Sequence, residues 1–334
     1  MSIVSLGDLA QSFVLRRQNT ALKTELTRLS TEMATGVSAD KSARVSGDLV
    51  PLAGIEASLA RLTGYKAVTA ETGLFAGVMQ TTLATVEGMA SDLSNLLLAS
   101  SVSALPTRVD AVASDAHQRL ESVLAALNTR FGDRTLFAGV GTNGPAIVGA
   151  DTLLAALDTA IIGATTAADI ETAIEVWFNA PSGYGATAYL GGGPLAAAQI
   201  APGESAALDI TAADPAIRDT IKGLAMAAML QRGVLAGQNE ARADLAKRAG
   251  ESLLGSQTDW ALLAARLGTV EAQISNADTR NSAETSGLQI ALAELLAVDP
   301  YETAARLEAA QTQLETLYAL TARMTRLSLV DYLP

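Results

Sequence analysis

The chain has 334 residues, 49% of them hydrophobic but only 4% aromatic, so its apolar content is mostly Ala, Leu and Val, which suits close helix packing better than a deep ligand pocket. A net charge of -12 without a strongly basic run argues against nucleic acid as a partner, because Lys and Arg supply most phosphate affinity. The absence of cysteine removes disulfides, thiol nucleophiles and thiolate metal sites, and leaves the redox compartment open, while a lone His117 removes most imidazole chemistry.

From the N-terminus, Leu15, Leu22 and Leu29 recur every seven residues with Asn19, Leu26 and Met33 beside them. Such a stripe predicts an amphipathic helix that needs a partner. Asp8 interrupts the first apolar stretch, and Arg16 and Arg17 follow it, the reverse of a secretory signal peptide, so any export is expected to leave this end intact. Helical spacing continues through Leu52, Ile55, Leu59 and Leu62. Phe75, Met79, Thr82, Val86, Met89, Leu93 and Leu96 then keep a three-four alternation for about 22 residues, or roughly 33 Å of helix. Pro106 permits a restart, and Val109, Ala113, Ala116, Leu120, Val123 and Leu127 form the next row, which ends at a predicted turn at Gly132-Asp133.

Between about Gly139 and Asp214 glycine and proline cluster, and a separate, loop-rich module of mixed α/β character is expected. Thr166 and Asp169 have capping-box spacing ahead of a short helix over Asp169–Phe178, and Ala186–Leu190 and Ala206–Ile210 read as short strands. Asp214-Pro215 is a strong helix start, with Ile217, Ile221, Leu224 and Ala228 on its face.

A long heptad seam begins at Trp260, with Leu267, Ile274, Asn281, Leu288 and Leu295 in one row and Leu263, Val270, Ala277, Glu284 and Ala291 in the other. Asn281 and Glu284 are read as a polar layer that fixes register between helices, or else as a solvated interruption. Gly268 and Gly287 mark either close approach by another backbone or local weakness. Asp299-Pro300 starts the last helix, with Glu302 at the capping-box position and Leu307, Ala310, Leu314, Leu317, Thr321 and Met324 along its face. The helices share a period and no tandem motif.

Gly139-x-Gly141-x-x-Gly144 matches a dinucleotide fingerprint in spacing, but Pro145 follows at once and the preceding residues read as a helix end, so a domain junction is the better account. Gly191-Gly192-Gly193 lacks the Lys-Ser/Thr of a phosphate loop and reads as a turn. His117 is expected to pair with Glu121 on a helix surface. No active site is legible, no cofactor is expected, and no window of about 18 residues reads as a membrane span.

Three stretches carry a resemblance: Leu29 to Gly36; Asn128-Thr129-Arg130-Phe131-Gly132-Asp133-Arg134-Thr135-Leu136-Phe137-Ala138-Gly139; and Asp299 through Leu314-Glu315-Thr316-Leu317-Tyr318 to Ser328–Leu333. They resemble the bacterial flagellin family, including its hook-associated members at the hook–filament junction, over about half the chain, and the middle is dissimilar. Many relatives carry Asp-Asp-Pro after the first helix where this chain has Ser38-Ala39-Asp40-Lys41.

The resemblance implies a mainly α fold in which long helices from both termini form an antiparallel coiled coil, with a small mixed α/β middle domain. The expected division is 1–48 plus 300–334 as a terminal layer, 49–139 plus 215–299 as a helical bundle, and 140–214 as a projecting domain. It implies an adaptor between a hook-side hook-associated protein and flagellin, with copies of itself as partners and a cytoplasmic export chaperone on the C-terminal region; filament flagellin itself is the alternative, and a helical signalling or adhesion protein a more distant one. Export would run through the flagellar type III apparatus to the cell exterior without signal cleavage. The residues expected to make the assembly surface are Leu15, Leu22, Leu26, Leu29, Met33, Leu307, Leu314, Leu317 and Met324.

Overall fold

Local start signals set most of the helix boundaries. In a computed structural model, which describes residues 6–102 and 105–330 and omits the side chains of 6–9, 11 and 325–330, α1 spans Leu6–Thr35, α2 Lys41–Arg44 and α3 Val50–Ser101. Asp8 and the Ser328–Leu333 end of the tail therefore fall outside the described side chains. Helix α4 (Pro106–Leu127) starts with proline in its first turn, where the missing N–H costs nothing. Two-residue strands β1 (Arg130–Phe131) and β2 (Arg134–Thr135) follow as a hairpin, turned by Gly132 at φ 61.

Helices α5 (Ala150–Ala160), α6 (Ala167–Asn179) and α7 (Tyr184–Thr187), then strands β3 (Ala198–Ala201) and β4 (Glu204–Ala206), build the middle of the chain. In α6 the capping box closes as its spacing predicts: Asp169 N donates to Thr166 Oγ1 at 3.1 Å and Thr166 N to Asp169 Oδ2 at 3.1 Å. These bonds also hold the Asp169 carboxyl below the usual range, the Thr166 hydroxyl contributing most. Helix α8 (Pro215–Met229) is capped by Asp214, whose Oδ1 accepts from Ala216 N. Helices α9 (Asn239–Gly255), α10 (Gln257–Leu296) and α11 (Pro300–Val330) complete the chain.

Two strand expectations are corrected. Residues 184–187 form a turn of helix instead of opening a strand, because the buried Tyr184 ring stacks on Phe178 and its hydroxyl donates to Ala212 O at 2.7 Å. Only Tyr189 of Ala186–Leu190 makes a bridge, to Ile147. The actual hairpin lies earlier than Ala206–Ile210, pairing Ala198 with Ala206 around Pro202-Gly203, where Gly203 at φ 75 suits a type II turn.

The chain divides into two units, Met1–Leu62 with Ala283–Pro334, and Thr63–Ser282. The second unit has one continuous core. Met79, Val86 and Leu93 of α3 join Ala116, Leu120 and Val123 of α4, Ile217 and Leu224 of α8, and Trp260 and Leu267 of α10. Leu153 and Leu157 of α5 and Ile170 and Ile174 of α6 belong to the same cluster. Salt bridges from Glu171 to Arg248, Glu175 to Lys222 and Asp158 to Arg232 join α6 and α5 to α9, α8 and the segment after α8. The α3 row departs from its predicted spacing toward its end, where Ala90 and Leu97 are buried, Met89 is half-buried and Leu96 is exposed.

Asn281 is buried and its Nδ2 donates to Ile200 O at 2.8 Å, so the polar seam residue holds strand β3 where register between helices was expected. Glu284 is exposed. A Cβ built at Gly268 or Gly287 meets nothing within 4 Å, which removes close backbone approach as their explanation and leaves local weakness.

Candidate assembly surface

The first unit is organised by α1 and α11. Asp299 Oδ1 accepts from Tyr301 N at 2.8 Å and from Glu302 N at 3.3 Å, starting α11, while the Glu302 carboxylate turns to Arg306 instead of closing a capping box. At the end of α1, Glu32 is buried and accepts from Arg28 Nη1 at 2.8 Å, Ala39 N at 2.9 Å and Ser38 Oγ at 3.3 Å. These bonds tie the turn that departs from the Asp-Asp-Pro pattern. Ser38 N donates to Leu296 O and Val298 N to Gly36 O, so the chain leaving α1 pairs with the chain entering α11.

From that clasp α1 and α11 run antiparallel along each other. Leu29 and Arg28 lie beside Thr303 and Arg306, Leu22 beside Gln313 and Leu317, and Leu15 and Asn19 beside Tyr318 and Thr321. Hydrogen bonds from Arg28 hold the Glu25 carboxyl below the usual range, and bonds with Asn19 and Lys23 lower the Tyr318 phenol. Polar contacts thus fix the register of an apolar seam.

Of the nine predicted surface residues, Leu29 is 1% exposed and Leu317 7%. Leu15, Leu22, Leu26, Leu307, Leu314 and Met324 are half-buried, and Met33 is 46% exposed. Periodicity missed a second set. Phe13 is 64% exposed, and Val14, Tyr301, Tyr318 and Leu320 also stand open. Phe13 points away from the Leu15 row because two residues turn a helix by about 200°. The only signal for it was a large apolar side chain off the heptad rows.

Other chemistry is sparse. Among the described residues no group of three His, Cys, Asp or Glu is placed to hold a metal ion, and no helix is long and apolar enough to cross a membrane. The charge-free run 176–203 is divided among the end of α6, the α7 turn, loops and β3. His117 Nε2 lies 3.5 Å from Glu121 Oε1, while its buried Nδ1 has no hydrogen-bond partner among the described residues. Gly139-x-Gly141-x-x-Gly144 lies between a two-residue hairpin strand and an open segment, so it lacks the strand and helix that a dinucleotide needs. A Cβ at Gly139 would lie 2.2 Å from Gly193 O, which explains that glycine by close packing on the Gly191–Gly193 turn.

Helices α1 and α11 pair and leave large apolar side chains open, a surface of the kind that a neighbouring chain can cover. Residues 255–333 match the family described as the bacterial flagellin C-terminal helical region. A comparison with curated proteins gives no match. Among solved structures, one from Vibrio parahaemolyticus, assigned as a flagellar hook-associated protein, shares the fold with a TM-score of 0.52 at 13% identity, over 73% of this chain and 96% of that one. The chain thus carries a segment similar to the flagellin C-terminal helical region within a mainly α fold.

Proposed function

We propose that this protein is a hook-associated adaptor at the hook–filament junction, joining a hook-side protein to flagellin. The observation that carries the reading is the antiparallel α1–α11 pair with Phe13, Val14, Met33, Tyr318 and Leu320 left open beside it. Side chains of this size gain about 1.5–3 kcal/mol each on full burial, and neighbouring subunits supply that cover. Leu15, Leu22, Leu26, Leu29, Leu307, Leu314, Leu317 and Met324 set the seam that orients the open face. Head-to-tail contacts between different patches then generate a tubular lattice.

The division that goes with this reading is 1–48 plus 300–334 as a terminal coiled-coil layer, 49–139 plus 215–299 as a helical bundle and 140–214 as a variable projecting domain. Before assembly a cytoplasmic chaperone covers the C-terminal helical region, and export follows the type III route without cleavage. Filament flagellin is the second reading, supported by the match of residues 255–333 to the flagellin C-terminal region. Deleting the gene separates the two. A junction adaptor leaves hooks intact and flagellin shed into the medium, whereas loss of filament subunit leaves no flagellin to shed.

A further inference from the structure

The Gly139-x-Gly141-x-x-Gly144 run contains two glycines with a packing reason and one without. Cβ atoms at Gly139 and Gly141 would press on the Gly191–Gly193 turn, the latter 3.1 Å from Gly192 N. Gly144 meets nothing within 4 Å, and its φ lies outside the left-handed region. What Gly144 provides is an unhindered amide directly after Asn143, in the chain's one Asn-Gly dipeptide. Asn143 is exposed, and among the described residues no hydrogen bond engages its side chain or the Gly144 N–H.

We infer that Asn143-Gly144 is a self-modification site that converts Asn143 to aspartate and isoaspartate. The Gly144 amide nitrogen gives up its proton and attacks the side-chain carbonyl carbon of Asn143. A carbon–nitrogen bond forms, the side-chain carbon–nitrogen bond breaks, and ammonia departs with a proton. Water then opens the resulting five-membered succinimide at either carbonyl. The step needs no oxidant and no cofactor, and glycine favours it by leaving the backbone free to reach the reacting geometry without a Cβ in the way.

Thr135 determines the consequence. This buried residue donates from its N–H to Thr142 O at 3.2 Å and from its Oγ1 to Gly144 O at 2.6 Å, so it grips both flanks of Asn143. Aspartate adds a negative charge and keeps both bonds. Isoaspartate inserts a methylene into the main chain between those two carbonyls and breaks at least one of them. The folded turn therefore restrains the second product, and the site acts as a slow, one-way change in charge and turn length beside β2.

The test is to incubate the full chain at mildly alkaline pH and map peptides by mass spectrometry with an isoaspartate assay. The peptide holding Asn143 is expected to gain about 1 Da before any other asparagine peptide does. Gly144→Ala, which fits the open space without clash, slows that gain by roughly tenfold or more with unchanged melting. Asn143→Gln, which requires a six-membered ring, keeps its mass. Equal rates in wild type and Gly144→Ala, or another asparagine converting while Asn143 stays intact, would overturn the inference.

Discussion

A chain carrying Leu314→Asp and Leu317→Asp is expected to be lost from the flagellum while its Thr63–Ser282 unit melts as before. Leu317 is buried beside Leu22 and Gln18 of α1, and Leu314 is half-buried on the same helix. The Leu317 replacement removes about 1.5–3 kcal/mol of apolar burial and the half-buried Leu314 roughly half as much, and each places a carboxylate in the seam, where it has to be desolvated. Even about 3 kcal/mol in all lowers the population of the paired helices by roughly 100-fold. The check is complementation of a deletion strain, with Leu314→Ala and Leu317→Ala as a milder pair. Filaments restored by the Asp variant would show that this seam does not build the assembly surface.

The second large effect lies in the other unit. Arg242 is only 8% exposed, and its guanidinium donates to Val234 O at 2.9 Å, Leu230 O at 3.1 Å and Asp110 Oδ1 at 2.6 Å. The loop it grips includes Leu235 at φ 56, a left-handed backbone that a leucine adopts only when its surroundings hold it. Arg242→Ala strips a donor from two carbonyls and releases that loop from α4. Asp110 is largely exposed and regains water, so the expected loss is about 2–3 kcal/mol, below that of a fully buried pair. For a unit of this size that is a fall in Tm of roughly 4–12 °C. Arg242→Lys keeps the charge but cannot span three acceptors in a plane, so an intermediate melting point is expected. A Tm unchanged by Arg242→Ala would place the restraint on the loop elsewhere.

What was legible in the sequence was local. Pro106, Asp214-Pro215, Thr166 with Asp169, and Asp299-Pro300 start helices because each supplies its own cap or fixed φ, whatever packs on it later. The heptad rows around Leu22 and Leu267 were equally clear, since repetition over several turns leaves few other foldings for those residues.

Elements that depend on distant partners were not legible. Helix α5 was not picked out within the loop-rich module, because its apolar face, Leu153, Leu154 and Leu157, sits in a glycine-rich stretch and finds its purpose only in the core it shares with α4 and α8. The Tyr184 turn is set by Phe178 and Ala212, and Asn281 by a strand 81 residues away. The assembly surface divides the same way. Spacing finds the row that faces the partner helix, but the outward position of Phe13, Val14 and Leu320 follows from which side α1 and α11 present to each other.

Subunit assembly, on this account, completes a pair of helices that one chain only begins to cover. A single narrow seam offers little burial to offset the cost of ordering two long helices, which is about 1–2 kcal/mol per residue for the backbone. Hydrogen exchange on dilute monomer and on assembled material tests this most directly. The prediction is rapid exchange over residues 6–36 and 300–330 in the monomer and slow exchange over both once subunits are joined, with Thr63–Ser282 protected throughout. Strong protection of both terminal segments in the dilute monomer would contradict it.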